Sequence, residues 1–266
     1  MREPMILLYV AFLQAIMRAR SQCPSSYNEV SPGLCVVRLA SANSFCAACE
    51  MCAKYGAARG QLAFVLGRNA NRVFPNDSET GHTWLGFNKF LTEPTQLAVG
   101  WRDVDPRTPG FMTNGPEMQL VVEKPQANST VVVIYGDGKM FDCPSDCYDL
   151  GLAVYCEYGG VLPTGPLLQQ YRSEFPVSLT EVISSQTHGY GCFAEANSTS
   201  IIDCGRKCTL NVACRSLYYG NSSGRCVHAT YADSLLPANI ASGELNWKRF
   251  AKVSYPQVAN ELFPWN

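Results

Sequence analysis

Histidine is scarce in this chain of 266 residues: there are three, His82, His188 and His228. None stands at the paired spacing of a zinc site. Phosphate-cradling and dinucleotide glycine patterns are missing, no serine is set as a nucleophile elbow, and Gly136-Asp137-Gly138 and Gly189-Tyr190-Gly191 are short turn signals. The carboxylate pairs Asp103 with Asp105 and Asp142 with Asp146 read as solvated loop charges rather than as an acid and a base working across a substrate. These absences argue against an enzyme. Charged residues make up only 16% of the chain, without a block of one sign, a repeat or a low-complexity tract.

What is present begins with Arg2, an apolar run from Met5 to Met17 and the small-residue site Ala19-Arg20-Ser21. That order reads as a signal peptide spanning 1–21, cleaved before Gln22. The run of about 13 residues is short of the roughly 20 that cross hydrocarbon as a helix, and no later stretch is long and apolar enough, so no membrane span is expected. Pro256, Asn260, Glu261 and Pro264 spoil a lipid-anchor signal in the tail. Without Arg2, Arg18, Arg20 and Glu3 the chain keeps 18 basic against 21 acidic residues, a balance that gives no reason to expect nucleic acid or an anionic membrane as partner.

All 13 cysteines lie beyond the expected cleavage site, which points to an oxidising compartment outside the cell. Four sequons, at Asn76, Asn128, Asn197 and Asn221, point the same way and mark expected surface loops carrying glycans. A processed chain of about 245 residues suits two modest domains. Between Cys156 and Cys192 there is no cysteine, and Gly159-Gly160, Pro163, Gly165-Pro166, Pro176 and Gly189 give residues 159–188 the composition of a linker, with a strand expected at Val177 to Ile183.

In the first half, Cys23 and Cys35 bracket Pro24, Asn28, Ser31, Pro32 and Gly33, the turn chemistry of a hairpin. Ser44 to Tyr55 has the look of a helix, with Cys46, Cys49 and Cys52 at three-residue steps and Gly56 ending the pattern. Strand-like runs follow at Gln61 to Leu66, Thr83 to Phe87, Gln96 to Trp101, Met118 to Glu123, Val131 to Tyr135 and Gly151 to Tyr155, an α+β order. Cys23-Pro24-Ser25-Ser26-Tyr27, a second cysteine twelve positions on, the helix cysteine, Leu62-Ala63, Trp84-Leu85-Gly86, Trp101 before Asp103, and Tyr155-Cys156-Glu157 together resemble the C-type lectin-like domain, over residues 22–158.

That resemblance implies disulfides Cys23 to Cys35 and Cys52 to Cys156. It also implies a second internal bridge whose first cysteine falls in Ser129 to Ile134, where this chain has none. Cys46, Cys49, Cys143 and Cys147 are left to pair among themselves; a Cys143 to Cys147 staple and a helix-to-loop bridge are both open. Sugar-binding members of the family hold a Ca²⁺, which needs six to eight oxygens. At the matching positions this chain has Asn114-Gly115-Pro116-Glu117-Met118 and Met140-Phe141-Asp142, where Phe141 replaces an oxygen ligand and Glu117 is displaced. Glu93-Pro94-Thr95 mimics a calcium triplet but precedes Trp101, outside the long loop. No metal or other cofactor is expected, and Asn114, Glu117 and Asp142 are the vestigial calcium candidates.

In the second half Cys204 and Cys208 lie one turn apart in a helix expected over Ile201 to Asn211, capped by Thr199 or Ser200. Cys214 to Tyr219 and Arg225 to Ala229 read as a hairpin across Gly220-Asn221-Ser222-Ser223-Gly224. Bridges Cys204 to Cys226 and Cys208 to Cys214 would stitch the helix to the hairpin and offset a small core. This arrangement, closed by Trp247-Lys248-Arg249-Phe250, resembles the PAN/apple family over residues 189–253, with 254–266 as a tail. Apple-type members bridge their first cysteine to one near the carboxyl end; none follows Cys226, so Cys192 is the odd thiol, either buried and unreactive or engaged in an interchain or interdomain disulfide.

The expected fold is therefore α+β: a disulfide-stapled C-type lectin-like fold plus a small PAN-like domain with a helix on an antiparallel sheet. The expected function is a secreted, extracellular recognition protein that binds a protein or glycan without coordinating sugar through Ca²⁺; the alternative is a Ca²⁺-dependent lectin. The long loop, about Val104 to Pro116, and the second sheet are the expected contact surfaces; Phe111, Met112 and Tyr218 or Tyr219 are candidate apolar contacts there, with ordinary packing as their expected role.

Overall fold

The computed structural model describes residues 23–74, 81–92, 96, 98–118, 120, 129–135, 138–147, 151–185 and 189–259. The expected leader, the sequons at Asn76 and Asn128, Glu93-Pro94-Thr95, His188 and the end of the tail lie outside them.

Ser44 opens the first helix: its backbone is extended and its hydroxyl accepts the Ala47 N–H at 3.2 Å. Helix α1, Phe45–Ala57, buries Phe45, Ala48, Cys49 and Cys52 along one face and pairs Glu50 with Lys54 at 2.6 Å on the other. Gly56 does not end it. A Cβ there would lie 2.5 Å from the Gln61 carbonyl oxygen, so this glycine lets the helix approach the next strand.

Strands β1 (Asn28–Ser31) and β2 (Leu34–Ala42) form the first hairpin, closed by Cys23–Cys35. β2 pairs antiparallel with β9 (Leu152–Val161), setting Val37 opposite Cys156, and the other edge of β9 takes β3 (Gln61–Val65). The first and last strands of this half are thus neighbours. β9 runs six residues further than its sequence pattern indicates, because Gly159-Gly160 forms a bulge instead of a linker: Leu62 faces Gly160 while Ala63 faces Tyr158. β4 (Thr83–Asn88) joins β9 in parallel at Ala153. On one side of β4 lie β5 (Val99–Asp103) and β6 (Met112–Asn114), and on the other β7 (Val131–Ile134) and β8 (Met140–Cys143). Met118 is buried outside any strand, and Leu120 makes a single bridge to Met140 where a strand is expected.

In the second half a five-stranded antiparallel sheet runs in the order β11 (Tyr171–Arg172), β17 (Trp247–Lys252), β14 (Cys214–Gly220), β15 (Cys226–Thr230), β13 (Cys192–Ala196). A helix, Ile201–Leu210, capped by Ser200, packs on β14 through Cys204 and Cys208. The residues read as a linker are laid along this half. Leu167–Leu168 pairs with Gln257–Val258 of the tail, β11 extends the sheet, and Ile183–Ser184, all that forms of the strand expected at Val177 to Ile183, runs parallel to Leu236–Pro237. Irregular chain between these short strands is pinned where Arg249 donates to the Phe175 carbonyl at 2.8 Å.

Six disulfides join described residues: Cys23–Cys35, Cys46–Cys192, Cys52–Cys156, Cys143–Cys147, Cys204–Cys226 and Cys208–Cys214. Cys192 is therefore not the odd thiol: of the two disulfides open to it, the bond to Cys46 is the interdomain one, and it overturns the interchain one. The free thiol is Cys49, buried at 3% exposure and pushed by burial well above the ordinary thiol range. Cys192 and Ala232 share one apolar cluster with α1, β3 and β9, so the two halves have a common core.

The Cys46–Cys192 bond spans 146 residues, but Cys52–Cys156 shortens the loop that it closes to about 40. Replacing Cys46 and Cys192 together by serine is expected to lower stability by up to about 4 kcal/mol in denaturant melts, in the chain-entropy picture. Non-reducing peptide mapping of the wild type should recover the Cys46–Cys192 peptide pair and alkylate Cys49 only after unfolding; a Cys49 bridge in its place would refute this arrangement.

Candidate recognition surface

The chain leaves β5 at Asp103 and reaches β6 through residues 104–111, the long loop. Its first residues rest on buried charge. The side chains of Asp103 and Asp105 are each 1% exposed, which overturns their reading as solvated loop charges. Gly67 makes the room: a Cβ there would lie 2.3 Å from Asp103 Oδ1. Asp103 Oδ2 accepts the Arg68 backbone N–H at 3.2 Å and lies 3.3 Å from its Nε, while Oδ1 accepts the Asp105 N–H at 3.3 Å. Asp105 accepts from Arg107 through its backbone N–H at 2.9 Å, Nε at 2.9 Å and Nη2 at 2.8 Å, and from the Arg68 guanidinium.

Both arginines then reach onward. Arg68 donates to Thr108 Oγ1 at 2.7 Å and lies over the Phe111 ring. Arg107 donates to the Gly159 carbonyl at 3.2 Å and stands 3.5 Å from Glu157, whose carboxylate accepts two contacts from Asn69 Nδ2 at 3.0 and 2.9 Å. The loop is thereby tied to the strand carrying Cys156. Arg215, half-buried on β14, donates to the Val104 carbonyl at 2.9 Å and fixes the loop's base to the second half. Sequence reading missed Arg68, Arg107, Glu157 and Arg215 as a group because they are distant along the chain; Gly67 and Gly86, where a Cβ would press on Asp103, were the available signal.

Burial pushes the Asp103 carboxyl up to about 7, against the pull of Arg68. Burial would raise Asp105 too, but the hydrogen bonds and charge of Arg107, with Arg68, outweigh it and hold Asp105 below the usual carboxylate range. Glu157 is raised, by burial first, with Asn69 opposing.

The calcium candidates are spread apart. Glu117 accepts the Asn114 backbone N–H at 3.2 Å, and the Asn114 amide, with its nitrogen toward Glu117, donates to both carboxylate oxygens at 2.8 and 3.0 Å. Asp142 sits on β8, across β4 from β6. Glu117 lies in the turn closed by the Met118 N–H on the Gly115 carbonyl, on a different segment from Asp142. Phe141, in the position of an oxygen ligand, stacks on Tyr135 at 4.4 Å. The described residues therefore do not fit a calcium cage of six to eight oxygens.

Of the expected contact residues, Met112 is 43% exposed and Phe111 packs against the core, while Tyr218 is fully buried with its hydroxyl donating to the Ser234 carbonyl at 2.6 Å. His228 lies between two disulfides whose sulfurs, bonded to each other, have no thiolate to give a metal. Gly220 to Gly224 has the G-x-S-x-G spacing of a nucleophile elbow. It turns between two antiparallel strands, however, and Ser222 Oγ donates to Glu244 at 2.8 Å, so the strand-to-helix setting of that motif is missing.

No family model matches this chain, and no curated protein matches it. Among solved structures, the C-type lectin CEL-I from Cucumaria echinata is similar over 53% of this chain and 99% of its own, at 14% identity and a TM-score of 0.37. The EPNH mutant of CEL-I is similar over the same shares at 13% identity and a TM-score of 0.38. Likenesses this slight carry no argument about function.

Between about pH 4 and 7 the folded chain holds a proton on Asp103 that the unfolded chain releases. This contribution is full below the unfolded value and lost as pH rises through the folded one. The stability of the wild type relative to Asp103→Asn is therefore expected to fall between pH 4 and 7, by on the order of 4 kcal/mol at about 1.4 kcal/mol per unit. Denaturant melts at several pH values check this, and a difference that stays flat would sink it.

Proposed function

We propose that this chain is a secreted recognition protein whose amino-terminal half, about 22–158, is C-type lectin-like and whose carboxyl-terminal half, about 189–253, is PAN/apple-like. Together they bind an extracellular protein or glycan, and no sugar is coordinated through Ca²⁺. The observation that carries this reading is the ionic platform under the long loop: Asp103, Asp105 and Glu157 hold residues 104–111 through Arg68 and Arg107. A loop ordered before binding loses less entropy on binding.

Several features support the two likenesses. The pairing of β2 with β9 and the Cys52–Cys156 bond bring the ends of the first half together. In the second half a helix is stitched to an antiparallel sheet by Cys204–Cys226 and Cys208–Cys214. Six disulfides favour an oxidising compartment. The capture of Glu117 by Asn114 supports recognition without calcium.

Glycan and extracellular-protein arrays probed with the purified chain test the proposal. Binding should change less than about twofold on adding a chelator, and Met112→Asp should weaken it at least about tenfold, as expected for an exposed apolar contact at the loop's end. Loss of signal with chelator, reproduced by Glu117→Gln and Asp142→Asn, would select the Ca²⁺-dependent lectin instead.

A further inference from the structure

Two expected glycan acceptors among the described residues, Asn197 and Asn221, meet at one rim of the second sheet. β13 ends at Ala196, which faces Cys226 of β15, and Cys226 in turn faces Tyr219 of β14. Asn197 follows that row on one strand, and the turn containing Asn221 follows it on another. Both asparagines are exposed. Beside Asn197 lies an open groove of about 260 Å³, lined by Glu195, Asn197, Ser198, Ser223 and Arg225 among others. Its wall is polar: Arg225 pairs with Glu195, and Ser223 Oγ accepts the Arg225 N–H at 3.3 Å.

Ser198, the middle residue of the Asn197-Ser198-Thr199 sequon, has its Oγ buried without a hydrogen-bond partner, although it lines this groove. The groove is below the roughly 300 Å³ at which drug-sized ligand pockets begin, and its charged wall suits a small polar group. Among the described residues β13 is paired on one side only, and an unpaired strand edge invites pairing with a second chain.

We propose that the N-linked glycan on Asn197 folds back over the protein, with its innermost sugar in this groove against the Glu195 and Arg225 pair and its outer sugars covering the open edge of β13. The proposal rests on the secretion read above. It gives the two acceptors different roles: the Asn197 glycan is a structural cover, whereas the Asn221 glycan projects from a turn.

The full chain is expressed in a secretory eukaryotic cell and compared with Thr199→Ala, which removes the acceptor but keeps Asn197, with Asn221→Gln, and with Ser198→Ala, which keeps the acceptor. Peptide mass spectrometry reads occupancy, thermal melts read stability and light scattering after gel filtration reads mass. Asn197 should be occupied, and Thr199→Ala should melt about 2 to 4 °C lower and form dimers. Asn221→Gln should do neither, and Ser198→Ala should stay glycosylated and remain monomeric like the wild type. Enzymatic deglycosylation of the folded wild type should reproduce the Thr199→Ala behaviour. A secreted chain with Asn197 unoccupied, a Thr199→Ala variant that matches the wild type, or equal effects from Asn221→Gln would each overturn the proposal. Retention inside the cell would instead overturn the reading of secretion, and this proposal with it.

Discussion

Helix α1 is the element on which both halves hang, and the spacing of its cysteines decides how. At about 100° per residue, three-residue steps turn Cys46, Cys49 and Cys52 through successive arcs of about 60°. The outer two therefore diverge by about 120° and meet different partners: Cys52 bonds β9 of the first half, and Cys46 bonds β13 of the second. Cys49, between them, points into the apolar cluster common to both halves, where no further cysteine faces it. The odd thiol is thus a consequence of helical geometry.

Burying three carboxylates beneath a surface loop is costly unless each is paired. Here the pairing is graded. Asp105 takes two guanidinium groups and keeps its charge, Asp103 takes one arginine and is pushed toward neutrality, and Glu157 shares Arg107 with Asp105 and leans on the Asn69 amide. The arrangement confers order more than stability. A buried ion pair gains little over apolar packing, but it admits few alternative geometries, and that restriction keeps the loop in one arrangement.

Much of the first half was legible because local chemistry and tertiary need agreed there. Ser44 caps the helix that its sequence announces, and the Pro24 to Gly33 turn chemistry sits in the Cys23–Cys35 hairpin. Legibility failed where one residue type serves two purposes. Gly56 and Gly159-Gly160 carry the same letters as a helix stop and a linker, yet they serve close packing and a bulge, which depend on strands distant in sequence. Asp103 and Asp105 look solvated in sequence because Arg68, which reaches both, lies on another loop and nothing in the local pattern shows that they are buried. Cys192 looked unpaired because the family likeness directed the search for its partner toward the carboxyl end, whereas the bond runs back to α1.

The long loop and the second half are not independent surfaces. Arg215 donates to the carbonyls of Val104, Tyr231 and Val212, none of which neutralises it, and burial lowers its affinity for a proton to about 10. Asp105 is the strongest influence acting in the opposite direction. The carboxylate that pins the loop through Arg68 and Arg107 therefore also sustains the cation that anchors the second half to the loop's base. With Cys46–Cys192 closing the same junction covalently, a ligand touching Met112 meets a loop whose position is set from both halves at once.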